Sequence, residues 1–432
     1  MVQRPGRLAP EQGLVPTGPY LAAAITDVEA DPSGEGSGIL FGRDQNPDVV
    51  GEDYSRAAEP NSVCLQSPTH PSWQHCRFDC DRSGSANTRR EAGPAESDPG
   101  DWHAQQLPCG HSSECLQGLQ AKNPEAYEKL DYRHPSLSRQ LDGGVRQIEL
   151  DIYADSKGGR YAHPSGPSMV ADAGLAPDPD FDPAGLMLKP GFKVMHIQDV
   201  DYRSNCQPFV ACLQQVRQWS HAHPGHIPIF ILVETKQDIP EGTQFTAPEQ
   251  FTSATFDALD AEIRSVSPPG EIITPDDVRG HYDTLEHAVI AGNWPTLAQS
   301  RGKVVFLMDQ RPVGPVYLEG HPSLRGRILF TNAEPGEPDA AFIERNDGLA
   351  AEITALVGKG YLIRTRTDAD TQEARANDTR RRDAMIASGA QILSTDYPAA
   401  EPARWPDGYF VALPGKAEIR CNPVNVPTGC GL

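Results

Sequence analysis

The sequence lacks the features of several protein classes. No apolar run approaches the roughly 20 residues that a membrane-spanning helix requires, and the apolar stretch 20–25 is too short and wrongly flanked for a signal-peptide core. Basic residues are not in excess, because 38 Lys and Arg stand against 59 Asp and Glu, for a formal net charge of −21. This charge argues against a nucleic-acid partner and against electrostatic docking on an anionic membrane. An acidic protein can still bind Ca²⁺.

The cysteines also exclude more than they reveal. No two of the nine have the two-residue spacing of a zinc knuckle, so a zinc site is disfavoured. Four of them form two close pairs, Cys206 with Cys212 and Cys421 with Cys430, and each spacing can close a small disulfide loop. Such pairs are typical of exported proteins, so we expect an extracellular or periplasmic location although no signal peptide is visible. The other five precede residue 120: Cys64, Cys76, Cys80, Cys109 and Cys115.

The two parts of the chain differ in pattern. Residues 1–118 are rich in Gly, Pro, Ser, Asp and Arg, without alternating strands or a sustained helical stripe, and are predicted to be a segment of low order. Residues 119–432 alternate short apolar runs with amphipathic segments, which predicts an α/β domain of the TIM-type (β/α)₈ barrel with a C-terminal disulfide tail.

Seven of the eight strands that a barrel needs are visible, and the shortfall lies at the beginning, so the first strand is predicted to be damaged or missing. The strand candidates are 145–152, 193–197, 227–234, 303–308, 327–331, 361–365 and 391–394. The helix candidates include 210–221, 251–266, 284–291, 340–356 and 371–388.

Polar residues that close apolar runs are the first candidates for chemistry, because barrel enzymes carry catalytic side chains at the carboxyl ends of strands. Glu149 and Asp151 are two residues apart and therefore lie on one face of their strand. Glu234 closes another run, with Lys236 on the same face, and His196 closes the run between them. A cluster of Glu149, Asp151 and Glu234 suits Ca²⁺ or Mg²⁺ better than zinc.

Each feature also has a structural interpretation. The acids can be solvated strand ends, and His196 can be a hydrogen-bonding residue of the fold. Three successive runs ending in acid, imidazole and acid favour a site. Arg364 and Arg366 are less decisive, because an arginine pair can bind a substrate phosphate or form structural salt bridges.

Residues 131–151 (DYRHPSLSRQLDGGVRQIELD) resemble the second strand, with its approach, of bacterial calcium-dependent phosphoinositide phospholipases C, which belong to the phospholipase C-like phosphodiesterases. The resemblance continues over roughly residues 119–400. The other segments that carry it are 191–196 (GFKVMH), 219–228 (WSHAHPGHIP) with the strand to Glu234, 274–279, 301–306, 364–369 (RTRTDA) and 394–398 (STDYP).

The resemblance implies a chemistry for these residues. Glu149, Asp151 and Glu234 match the Ca²⁺ ligands, and His196 matches the second catalytic histidine. The implied reaction is attack of the inositol 2-hydroxyl on its own phosphate, which releases diacylglycerol and a cyclic inositol phosphate. A phosphoinositide or glycerophosphodiester substrate and a transient contact of apolar loops with a membrane surface are expected, without an obligate protein partner.

The family's first-strand motif, Gly-Thr-His-Asn-Ser-Tyr-His, does not occur in this sequence. Trp102 has the single codon TGG, and read one base later it begins a glycine codon. With suitable synonymous codons, residues 103–108 then read Thr, His, Asn, Ser, Tyr and His, and residues 94–101 read Arg-Leu-Asn-Gln-Ile-Gln-Val-Ile. We therefore hypothesise that segment 1–118 is out of frame, which the DNA sequence would decide.

As written, the chain lacks the base histidine and the neighbouring asparagine ligand of the family. His103 and His111 are poor substitutes because neither closes a credible strand. We therefore expect weak or absent activity. Two alternatives remain open: a glycerophosphodiester phosphodiesterase, which shares the barrel and the Glu-x-Asp strand but carries His-Arg on its first strand, and a catalytically dead barrel that acts as a binding module.

Overall fold

The computed structural model of the chain describes residues 21–24, 124–240 and 243–426. Their helices and strands are, in chain order, β1 (Leu21–Ala24), α1 (Pro124–Lys129), α2 (Leu137–Asp142), β2 (Gln147–Tyr153), α3 (Gly166–Asp172), β3 (Lys193–Val194), α4 (Phe209–Ala222), β4 (Ile229–Thr235), α5 (Ser253–Val266), β5 (Ile272–Ile273), α6 (Pro275–Arg279), α7 (Leu285–Ile290), α8 (Leu297–Ser300), β6 (Val304–Met308), α9 (Gly314–Tyr317), β7 (Phe342–Glu344), α10 (Ala350–Gly358), β8 (Leu362–Arg366), α11 (Gln372–Ala376), α12 (Arg380–Ser388), β9 (Ile392–Ser394) and β10 (Ile419–Cys421).

Parallel pairing runs through most of these strands and confirms an α/β fold. β2 pairs with β4, β4 pairs with β6, and β7, β8 and β9 pair in sequence, all in parallel. Two isolated parallel bridges, from Leu307 to Phe330 and from Asn332 to Phe342, connect β6 with β7. The carboxyl ends of these strands therefore lie at one edge, where the sequence predicts the site.

β1 is a strand inside the segment that was predicted to be of low order. It pairs in parallel with β9 and antiparallel with β10. Among the described residues, no ladder joins β1 to β2, so closure of the barrel stays a prediction. The rest of the predicted segment 1–118, with the reframed stretch 94–108, lies outside the described residues.

The core explains why β2 is well defined. All seven of its residues are buried, although they alternate between apolar and polar. Ile148, Leu150 and Ile152 belong to the main hydrophobic cluster, which includes residues of α4 and α5. Because side chains alternate across a strand, Glu149 and Asp151 point to the opposite face and are still buried. The strand thus carries its carboxylates into the interior.

The helix predicted over 251–266 forms as α5, and its start has a local cause. The Thr252 side chain accepts a hydrogen bond from the backbone N–H of Thr255 at 3.2 Å, which caps the first turn. Phe256, Leu259 and Ile263 follow at helical spacing and are buried.

The prediction over 193–197 is wrong in one respect. Only Lys193 and Val194 form a strand, and it pairs antiparallel with the end of β2. β3 is therefore an addition beside β2 and not one of the parallel strands. An apolar run alone does not reveal the direction of its partner.

The helix predicted over 340–356 is divided. Phe342–Glu344 is the parallel strand β7, and the helix is confined to Ala350–Gly358. A short strand that is buried on both faces has no alternation to separate it from a helix. The helix predicted over 371–388 is likewise two helices, with Asn377 at a φ of 48° between them.

The strand predicted over 327–331 is reduced to the isolated bridge at Phe330.

Two further observations concern export and membranes. Cys206 and Cys212 form the predicted disulfide, and Cys421 is disulfide-bonded, while its predicted partner Cys430 lies outside the described residues. In the described part of the chain, the helices are all too short or too polar to cross a bilayer.

Candidate active site

Glu149 and Asp151 on β2 and Glu234 on β4 come together as the sequence predicts, and we call them the carboxylate triad. Asp151 stands directly opposite Glu234 in the β2–β4 ladder. One oxygen from each of the three buried carboxylates lies within 4.8 Å of the others. Ca²⁺ binds oxygen at 2.3–2.6 Å, so two oxygens on one ion are at most about 5 Å apart. The triad therefore fits a hard divalent cation.

Lys236 lies beside the triad. Its Nζ is 3.1 Å from Asp151 Oδ2 and 2.8 Å from Glu234 Oε2, and its side chain is 13 % exposed. The alternation of the strand places it on the same face as Glu234, as expected. One ammonium group thus neutralises part of the charge of two triad members.

Arg364 contacts the third triad member. Its Nη2 donates to Glu149 Oε2 at 2.8 Å and to Ser394 Oγ at 2.9 Å. Its Nη1 lies 2.8 Å from Asn346 Oδ1 and 3.0 Å from Glu344 Oε1. We call these five residues the Arg364 cluster.

Arg366 is the second arginine of the predicted phosphate pair. Its Nη2 lies 3.0 Å from Asp347 Oδ2, at a carboxylate that Arg381 also contacts. The phosphate role of both arginines stays a prediction.

His196 is buried after β3, and its Nδ1 lies 2.9 Å from Asp201 Oδ2. A carboxylate at this distance favours a proton on Nδ1 and fixes the orientation of the ring. Nε2 is then the nitrogen that can exchange a proton with a ligand. Sequence reasoning missed Asp201, because a spacing of five residues across a loop does not by itself reveal a contact.

Tyr153, the last residue of β2, connects this strand to the loop that carries His196. Its hydroxyl lies 2.8 Å from Gln198 Oε1 and 3.1 Å from the His196 carbonyl oxygen. Burial raises the pKa of Tyr153 well above its usual value, so the hydroxyl stays protonated and can donate to either acceptor. This contact fixes the loop that carries His196 relative to β2.

A further buried carboxyl group follows β8. Burial raises the pKa of Asp368 to about 6, although hydrogen bonds from Thr395, the Asp396 backbone and Thr367 lower it. Thr395 Oγ1 donates to Asp368 Oδ2, and the Tyr409 hydroxyl lies 3.3 Å from the same oxygen. Asp368 lies in the segment 364–369, in which the sequence predicted no acid of the site.

Buried carboxylates at the ends of adjacent parallel strands, with a histidine nearby, define a candidate divalent-metal site in an α/β protein. Residues 107–423 match the family model described as "Phosphoinositide phospholipase C, Ca²⁺-dependent". Since the match spans more than half of the chain, the protein belongs to this family. Ca²⁺ is the cofactor of the family, and both conclusions confirm the resemblance seen in the sequence.

Solved structures of bacterial enzymes are also similar. A Ca²⁺-dependent phosphatidylinositol-specific phospholipase C from Streptomyces antibioticus is 21 % identical, with a TM-score of 0.41, over 60 % of this chain and 88 % of that one. An apo calcium-dependent phosphoinositol-specific phospholipase C from Pseudomonas sp. is 17 % identical, with a TM-score of 0.42, over 67 % of this chain and 88 % of that one. No curated protein sequence matches the chain.

Proposed function

We propose that the chain is a Ca²⁺-dependent phosphodiester hydrolase that cleaves phosphatidylinositol lipids to diacylglycerol and an inositol phosphate. The observation that carries the proposal is the carboxylate triad, which lies within the family match. His196 adds a proton donor: it follows β3, which pairs with the end of β2, and its Nδ1 contacts Asp201.

The roles follow from the geometry. Glu149, Asp151 and Glu234 would hold Ca²⁺, which would lower the pKa of the attacking inositol hydroxyl and screen charge on the phosphoryl oxygens. His196 would donate the Nε2 proton to the leaving oxygen, and Asp201 would hold the ring in position by accepting from Nδ1–H. Lys236 would place its ammonium beside a substrate phosphate, and Arg366 remains a second proposed phosphate contact.

We also propose that activity in this chain is impaired. The sequence contains no Gly-Thr-His-Asn-Ser-Tyr-His motif, and β1, which stands next to β9, reads Leu-Ala-Ala-Ala. A strand of this composition supplies no general base and no amide ligand. Restoring the motif at residues 94–108 would add the base histidine and the asparagine.

Three broader features belong to the same proposal. Residues 119–432 would form a (β/α)₈-type barrel whose first strand is damaged or missing, and the parallel pairing of β2 with β4, of β4 with β6, and of β8 with β7 and β9 supports this. Export would suit the disulfide between Cys206 and Cys212. Membrane contact would be transient, because a net charge of −21 does not favour an anionic surface.

Hydrolysis of phosphatidylinositol, measured with and without a calcium chelator, tests the proposal. We would compare the chain with one in which residues 94–108 read Arg-Leu-Asn-Gln-Ile-Gln-Val-Ile-Gly-Thr-His-Asn-Ser-Tyr-His. The rebuilt chain is expected to be faster by about 10²- to 10⁴-fold, the usual contribution of a general base, and to need Ca²⁺. His196→Gln in the rebuilt chain is the matched loss-of-function control.

Other outcomes would contradict parts of the proposal. Cleavage of glycerophosphocholine in place of phosphatidylinositol would favour a glycerophosphodiester phosphodiesterase. Equal Ca²⁺-dependent activity in both chains would show that another residue serves as base. No activity in either chain would favour a binding module.

A further inference from the structure

Arg364 is buried to an unusual degree for a cation, with a side chain 2 % exposed. Each of its two Nη nitrogens contacts two protein acceptors, and these are Glu149, Ser394, Asn346 and Glu344. A guanidinium group presents its N–H donors in a fixed plane, so several acceptors together define its orientation. These acceptors therefore fix the orientation of the guanidinium group.

The acceptors come from distant parts of the chain. Glu149 lies on β2, 215 residues from Arg364, while Glu344 ends β7 and Ser394 ends β9. β2 and β8 share no ladder among the described residues, so backbone pairing does not set their distance. The Arg364–Glu149 ion pair thus fixes one member of the carboxylate triad against strands on the other side of the fold.

A glutamate needs such support more than an aspartate does, because its longer side chain has more rotatable bonds. Asp151 and Glu234 face each other in one ladder, whereas Glu149 is one repeat further down β2. An ionised carboxylate has two oxygens with about four acceptor sites, so the bond from Arg364 to Oε2 does not exhaust its capacity for a metal ion.

We infer that Arg364 is a positioning residue: it holds the Glu149 carboxylate in the orientation at which the triad binds Ca²⁺, and it does not serve as a substrate-phosphate ligand. The inference rests on the proposed function. Groups that orient a metal ligand from outside the coordination sphere typically change metal affinity by about 10- to 100-fold when they are lost.

The charge of Arg364 acts in the opposite direction. A cation next to a ligand repels Ca²⁺, so removal of the charge alone would strengthen metal binding. Arg364→Lys separates the two effects, because lysine keeps the charge but loses the planar fork. A loss of affinity in this variant therefore reports on orientation.

The experiment measures the Ca²⁺ dissociation constant of the full chain by isothermal titration, together with thermal unfolding in chelator. Arg327→Lys is the matched control, because Arg327 is also 2 % exposed and bonds to Asp257, to Asp260 and to the Tyr317 carbonyl away from the triad. We expect Arg364→Lys to raise the dissociation constant about 10- to 100-fold. Arg327→Lys should lower the unfolding temperature and leave the dissociation constant within about twofold.

A milder variant covers the case in which Arg364→Lys does not fold. Ser394→Ala removes one acceptor of Arg364 Nη2 without changing charge, and it should raise the dissociation constant about fivefold, the effect of one hydrogen bond. An unchanged or lower dissociation constant in the folded Arg364 variant, or in Ser394→Ala when only that variant folds, would overturn the inference and leave the proposed function standing. Absence of Ca²⁺ binding by the unaltered chain would overturn both.

Discussion

Two cationic side chains flank the carboxylate triad, and they do so in different ways. Arg364 contacts Glu149 from β8, is 2 % exposed, and makes its other contacts with residues outside the triad. Lys236 is 13 % exposed and lies within 3.1 Å of both Asp151 and Glu234. One cation supports a ligand from behind, whereas the other stands between two ligands, where it competes with a metal ion. Both charges oppose Ca²⁺, but Arg364 also orients its ligand, so the two side chains are expected to have opposite net effects on metal binding.

The largest expected effect comes from changing Asp151, the triad member that would bind the metal ion and that also pairs with Lys236. Asp151→Asn should weaken Ca²⁺ binding by more than about 100-fold, because loss of an outer partner alone costs about 10- to 100-fold. Isothermal titration measures the change. Asp260→Asn is a suitable control, since Asp260 is a buried carboxylate that pairs with Arg327. An unchanged affinity in Asp151→Asn would remove this residue from the metal site.

Asp368 extends the comparison to a buried carboxyl group whose hydrogen bonds come from neutral groups and not from a cation. The folded-state pKa of Asp368 is about 6, above the value of about 3.9 in an unfolded chain. Ionisation is thus less favourable in the fold, and the free energy of unfolding falls as the pH rises from about 4 to about 6. At roughly 1.4 kcal/mol per pKa unit, the loss is about 3 kcal/mol.

Urea unfolding in chelator at pH 4.5 and at pH 7 tests this. The stability of the unaltered chain relative to Asp368→Asn should fall between the two values by about 2 kcal/mol, because about a third of the total loss occurs below pH 4.5. A difference that does not change with pH would show that the hydrogen bonds offset the cost of burial and leave the pKa of Asp368 at its unfolded value.

The smallest expected effect is also the one with the opposite sign. Lys236→Met should strengthen Ca²⁺ binding by roughly 2- to 5-fold, because a partly exposed ion pair is worth about 0.2–1 kcal/mol and the ammonium no longer competes. The same titration as for Arg364→Lys measures it. Weaker binding would mean that Lys236 holds its carboxylates in place, as Arg364 does, and the contrast between the two cations would disappear.

The triad itself was predictable from the sequence, and the reason is geometric. Glu149 and Asp151 share a face because strand side chains alternate, and Glu234 reaches them because the carboxyl ends of parallel strands meet at one edge. His196 was predicted because it closes an apolar run, although β3 pairs antiparallel with β2 and the rule for parallel strands does not place it. The signal was local in each case, since a polar residue closed an apolar run.

The supporting residues were not predictable in this way. Glu344 and Ser394 contribute through contacts between distant strands, and no spacing within one segment reveals such contacts. β7 was hidden because Phe342 and Ile343 are both buried, which removes the alternation of a strand. Asp201 pairs with His196 through a loop whose course depends on Tyr153 and Gln198. Arg364 was predicted to bind a substrate phosphate, because the sequence does not reveal its partners in the fold.

The alternation of apolar and polar side chains along the fully buried strand β2 has a consequence for how this chain can change during evolution. Both of its faces are enclosed, one by aliphatic packing and the other by charged partners. Deletion of one residue would turn Ile148 and Leu150 toward the polar side and Glu149 and Asp151 toward the aliphatic side, because the repeat of a strand is two residues. We therefore expect insertions and deletions to be tolerated in the connections to this strand, such as 154–165, and not within the strand itself.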